Sequence, residues 1–110
     1  MRVLDVQGHR GARGLRPQNT LAAFAHAQSL GVSTLELDCG LSADGQVVIA
    51  HDPYLNPDIH CRTDGTSLES PRGPLLRDLR LEEIRSYDAG SRRARDFRNR
   101  SDSRENDCRP

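Results

Sequence analysis

The first forty residues run strand, helix, strand, and this order most constrains the fold. Val3 to Val6 is a short apolar run that reads as a strand. "TLAAFAHAQSL", Thr20 to Leu30, places Leu21, Phe24 and Ala25 on one face at helical spacing. Asn19 or Thr20 can cap its start, and Gly31 follows its end. In Val32 to Leu41, Leu35, Leu37 and Cys39 alternate with Thr34, Glu36 and Asp38, the period of a strand. Parallel strands need a crossover and a helix supplies one, so the order predicts a parallel α/β unit.

A turn at Ala43 to Gly45 leads into "QVVIAH", Gln46 to His51, a third strand. Too few residues separate it from the second strand for a helical crossover, so the pair forms a hairpin or an unusually short connection. Pro53 to Pro74 reads as a long loop rich in Pro, Asp, Gly and Ser. A short helix is expected near the end of Leu75 to Tyr87, stopped by Asp88 to Gly90. Residues 91–110 carry only Ala94, Phe97 and Cys108 as apolar side chains and show no period, so they are expected to be disordered. The chain thus divides into an organised part, 1–90, and a tail, 91–110.

Charge excludes one class of partner. The 16 basic residues, all arginine, balance 16 acidic ones, which gives no support for nucleic-acid binding. Cys39, Cys61 and Cys108 have no metal-finger spacing and read as free thiols in a reducing compartment. The N-terminus lacks the apolar core of a signal peptide, and no run approaches membrane-spanning length. A cytoplasmic location is therefore expected.

The chemistry gathers at strand ends. "QGHRGARGLRPQNT", Gln7 to Thr20, holds one histidine, three arginines and three glycines. Glycine lets a backbone approach a ligand closely, and the arginine fork suits phosphate or carboxylate. Glu36 and Asp38, two apart on a strand, point to one face and repel unless a cation or proton lies between them. A hard ion such as Mg²⁺ or Ca²⁺ meets that need, although an isolated E-x-D more often marks a solvated strand face. His51 closes an apolar strand, where it can serve as general acid or base. His26 and His60 receive no role, and Asp44 and Asp64, each before a glycine, serve turns. In a parallel barrel His9, Arg10, Glu36, Asp38 and His51 would converge on the rim where active sites form.

In order and spacing these pieces resemble the glycerophosphodiester phosphodiesterases. The motifs are "HRG" at His9, "PQNT" at Pro17, "LELD" at Leu35, "DG" at Asp44 and "VVIAHD" at Val47, with "LNPDI" at Leu55 and "YDAG" at Tyr87. The last two look like those of bacterial members, so the resemblance implies a bacterial source, and they separate the chain from phospholipase C-like enzymes. Gln18 stands where the family pattern carries glutamate, and His60 and Cys61 replace a threonine-containing stretch.

The resemblance implies an α/β fold, the N-terminal part of a TIM-barrel (β/α)8. It implies hydrolysis of a small-molecule glycerophosphodiester to sn-glycerol 3-phosphate and an alcohol. It makes His9 and His51 the acid/base pair, Arg10 the phosphate grip, and Glu36 and Asp38 ligands of Mg²⁺ or Ca²⁺. It fades after Gly90, and a full barrel needs about 250 residues. The expectation is an incomplete, truncated domain. The alternative function is an inactive remnant with at most weak phosphate or metal binding.

Overall fold

β1 (Gln7–His9) and β2 (Thr34–Glu36) pair in parallel, with Gly8 opposite Leu35 and His9 opposite Glu36. The helix α1 (Leu21–Ser29) crosses between them, so the predicted parallel α/β unit is present. The structure is a computed structural model and describes residues 3–69 and 71–90. The first strand is Gln7–His9 rather than Val3 to Val6. Val6 still joins the junction, because its carbonyl accepts the Ser33 N–H at 2.8 Å.

Thr20 caps α1 as expected: its backbone is extended and its hydroxyl accepts the Ala23 N–H at 3.2 Å. Gly31, at φ 78°, ends it. The buried face differs from the predicted one. Ala23 and Ala27 are buried, while Leu21 is 87% exposed. The reason is the close approach of the β1–α1 loop. A Cβ on Gly8 would lie 3.0 Å from the Ala27 Cβ, and one on Gly11 would lie 2.7 Å from the Ala23 backbone. Only glycine on the loop and alanine on the helix fit that spacing. Gly11 also sits at φ 81°, a region that side chains disfavour.

The hairpin is the outcome of the two alternatives. β3 (Cys39–Leu41) and β4 (Val47–Ile49) pair antiparallel, Gly40 facing Val48. The predicted strand Val32 to Leu41 is therefore two strands, and the chain changes partners around Leu37 and Asp38. Asp44 and Gly45 form the turn: the Asp44 carboxylate accepts the Ser42 hydroxyl at 2.6 Å, and Gly45 adopts φ 75°. The same carboxylate accepts the Leu81 N–H at 2.9 Å, tying the hairpin tip to a distant helix.

The stretch read as loop contains more order than expected. β5 (Cys61–Arg62) pairs antiparallel with β6 (Tyr87–Asp88). Leu55, Leu68 and Leu76 form a buried cluster, flanked by Ala50, Leu79, Ile84 and Tyr87. The predicted helix within Leu75 to Tyr87 is a 3-10 turn (Leu76–Asp78) followed by α2 (Leu81–Ile84). Leu79 is extended between them, which turns its side chain toward the cluster at the expense of a continuous helix. Asp64 serves its turn, accepting the Thr66 N–H at 2.9 Å beside Gly65 at φ 88°.

Cys39 is an exposed free thiol, as expected, whereas Cys61 is fully buried and disulfide-bonded, against expectation. Cysteine is among the most readily buried side chains. Among the described residues no helix is long and apolar enough to cross a membrane. The expected disorder of residues 91–110, and their separation as a tail, lie outside the described residues.

Candidate active site

The C-terminal ends of β1 and β2 lie side by side because the strands are parallel and in register. That pairing sets His9, the last residue of β1, beside Glu36, the last residue of β2. His9 Nε2 lies 3.8 Å from Glu36 Oε2. The next residue, Arg10, turns away at φ 51°, and its main-chain N–H donates to Glu36 Oε2 at 2.9 Å. One carboxylate thus engages both members of the His-Arg pair.

Asp38 reaches Arg10 from the other side. Its Oδ2 lies 3.3 Å from Arg10 Nε. Both atoms are buried without a hydrogen-bond partner, so the contact is a charge pair with imperfect directionality. Glu36 and Asp38 were expected on one strand. The structure ends β2 at Glu36 and leaves Asp38 in the link to β3, yet the two carboxylates converge on Arg10 as a shared face requires. Gln18 closes the arrangement: Arg10 Nη1 donates to Gln18 Oε1 at 3.1 Å.

His51 enters through the hairpin. The Ala50 N–H donates to the Asp38 carbonyl at 3.1 Å, which sets the end of β4 beside the carboxylate link. His51 Nδ1 lies 3.0 Å from Asp52 Oδ1, and Asn56 Nδ2 donates to Asp52 Oδ2 at 2.7 Å. Burial alone would raise the Asp52 pKa. Hydrogen bonds from Asn56 and His51, with the charges of His51 and Arg10, outweigh it and hold the carboxyl below its ordinary value. An ionised Asp52 can only accept, so His51 Nδ1 is the donor and Nε2 is left free to accept a proton. Both histidines are substantially exposed at the rim and open to a ligand.

Of the five sequence-predicted site residues, His9, Arg10, Glu36 and Asp38 contact one another, and His51 follows β4, whose end is joined to the Asp38 backbone. His26 lies in the last turn of α1. Three further residues carry geometry that the sequence reading did not assign. Asp52 orients His51, and its only signal was adjacency in the "HD" pair. Gln18 holds Arg10, and its only signal was its departure from the family pattern. Asn19, at φ 55°, has both side-chain amide atoms buried without a hydrogen-bond partner. Among the described residues no group of three or more His, Cys, Asp or Glu side chains is arranged to hold a metal ion.

His60 carries a pH dependence. Burial pushes its pKa below the ordinary histidine value, against the Asn56 carbonyl and the charges of Asp52 and Asp88. The unfolded chain then takes up a proton more readily than the folded one. Its contribution is complete above about pH 6.5 and is lost as pH falls below it. The lowered carboxylates act only below about pH 4. Denaturant midpoints at pH 7.5 and 5.5 should therefore fall more for the native chain than for His60→Gln. Equal falls would remove His60 as the cause.

A parallel βαβ unit with a histidine, an arginine and a carboxylate at its strand ends is the repeating unit of an α/β barrel, whose sites form at that rim. The comparisons narrow the class. The model of the glycerophosphoryl diester phosphodiesterase family matches residues 9–101. A glycerophosphodiester phosphodiesterase of Caldanaerobacter subterraneus is 38% identical over 85 residues, covering 77% of this chain and 30% of that protein. A Silicibacter pomeroyi structure described by the family's enzyme name superposes at TM-score 0.76 with 37% identity, covering 81% of this chain and 30% of that one. An Oleispira antarctica phosphodiesterase, solved with the product sn-glycerol-3-phosphate, superposes at 0.61 with 37% identity, covering 81% and 32%. The chain belongs to the glycerophosphoryl diester phosphodiesterase family, and its fold is an incomplete TIM barrel, the N-terminal part. It spans about a third of the length of these relatives.

Proposed function

We propose that this chain carries the catalytic histidines and phosphate grip of a glycerophosphodiester phosphodiesterase. The reaction would convert a glycerophosphodiester to sn-glycerol 3-phosphate and an alcohol. The observation that carries this reading is the convergence of Glu36 and Asp38 on Arg10 at the rim that also holds His9.

His51 Nε2 takes the proton from the glycerol 2-hydroxyl as its oxygen attacks phosphorus. The bond from phosphorus to the alcohol oxygen breaks, and His9 gives that oxygen a proton. Water then opens the cyclic phosphate, with the two histidines exchanging roles. Arg10 holds the phosphoryl oxygens through charge-assisted hydrogen bonds. Asp38 and Gln18 hold its guanidinium, and Glu36 holds its main-chain N–H, before substrate arrives.

Glu36 and Asp38 suit a hard divalent ion, Mg²⁺ or Ca²⁺, since both offer carboxylate oxygens. Asp38 Oδ2 is buried without a hydrogen bond and faces the Arg10 Nε charge at 3.3 Å, so it is the carboxylate oxygen that an ion would share with the arginine. When bound, the ion would polarise the phosphoryl oxygens and favour ionisation of the attacking hydroxyl. A weak binder without turnover is the second reading, favoured because two carboxylates alone make a sparse site.

The test is a chimera in which residues 9–90 of this chain replace the matching segment of the Caldanaerobacter relative. Hydrolysis of glycerophosphodiesters in the presence of Mg²⁺ or Ca²⁺ supports the proposal. A folded but inert chimera rejects it and leaves the weak-binding reading.

A further inference from the structure

We propose that Gln18 is a positioning residue for Arg10, one whose side-chain oxygen sets the guanidinium for an oxyanion; this rests on the phosphate reading of the site above. Arg10 is 9% exposed and Gln18 is 6% exposed, so water does not compete for their 3.1 Å hydrogen bond. The backbone around the pair is tied as well. The Asn19 N–H donates to the Arg10 carbonyl at 2.9 Å, and the Arg10 N–H donates to Glu36. Both Arg10 and Asn19 adopt left-handed backbone, at φ 51° and 55°.

The guanidinium therefore has Asp38 on its Nε edge and Gln18 on one terminal nitrogen. A planar fork gripped at two places cannot rotate, and its remaining N–H groups point in one fixed direction. Asp38 alone leaves rotation about the Nε contact open, since that contact lacks good hydrogen-bond geometry. Gln18 removes that freedom. It does so as a neutral acceptor, adding no negative charge to those of Asp38 and Asp52 near the arginine. A carboxylate at the same position would also accept, whereas an apolar side chain of equal length would leave a buried N–H unpaired.

The experiment uses the 110-residue chain with Gln18→Met, Gln18→Glu and Gln18→Asn variants. Inorganic phosphate and sn-glycerol 3-phosphate are titrated by NMR, and exchange protection of the Arg10 guanidinium N–H signals is read in the same samples. Gln18→Met should weaken binding by roughly tenfold and lose the protection, as expected for one lost hydrogen bond to a charged group. Gln18→Glu should stay within about threefold and keep it. Gln18→Asn, one methylene short, should behave like Gln18→Met, and it decides the matter together with Gln18→Glu if Gln18→Met does not fold. Binding and protection in Gln18→Met or Gln18→Asn equal to the unmutated chain would overturn the role of Gln18 alone. Failure of the unmutated chain to bind either anion would overturn the phosphate reading and this role with it.

Discussion

His9→Ala and His51→Ala are each expected to lower kcat by roughly 10²–10⁴ in the chimera, the usual loss when a general acid or base is removed. The expectation has a structural basis that differs between the two. His51 is oriented by Asp52, which Asn56 holds in turn, so its Nε2 is presented in one tautomer. His9 is set by strand register, opposite Glu36, with its imidazole near that carboxylate. Neither side chain is part of the buried core, so their loss should leave the unfolding transition nearly unchanged. His26→Ala, in the last turn of α1, should cost little activity. Steady-state kinetics on the three variants decide the point. Comparable losses in all three would trace the effect to folding and remove the assignment of acid and base.

Asp38→Ala has the second large expected effect, loss of all turnover that depends on a divalent ion. The same change strands Arg10. Its Nε is buried and faces Asp38 at 3.3 Å, so without the carboxylate a cation is left beside a shortened side chain. The variant should therefore fail in two measurable ways, in activity and in denaturant midpoint. Asp38→Asn separates them: it keeps the volume and an oxygen acceptor, so it should recover part of the stability while remaining inactive. Near-normal activity of either variant in chelator would refute the metal role.

The open edge of β1 bears on how such measurements are made. Among the described residues β1 pairs only with β2. Beside it runs an apolar groove of about 400 Å³ whose walls include Gly8, Ala27, Leu30 and Val32. The hairpin residues Leu41, Val47 and Ile49 are likewise exposed. In a closed (β/α)8 barrel every strand has two neighbours and each sheet face is covered. The chimera supplies both.

The motifs and the strand-helix-strand order were legible in the sequence, because each rests on local chemistry, whereas the five candidate residues stood out only through the order and spacing of the motifs and the family they resemble. A capping threonine, a glycine after a helix and an aspartate before a glycine act within a few residues of themselves. Thr20, Gly31, Asp44 and Asp64 accordingly behave as read. The misreadings share one cause. Which face of α1 is buried depends on how closely the loop of β1 approaches it, and the glycine-alanine contact overrides the larger apolar side chains. Whether Val32 to Leu41 is one strand or two depends on which partner each half meets. β5 and β6 are two residues each, too short to show a period, and exist only because they find one another. Local patterning set which residue types reach the strand ends. Tertiary structure alone decided that Gln18, eight residues from Arg10, and Asp38, twenty-eight away, close on the same guanidinium, because parallel register and a left-handed turn bring them together in space.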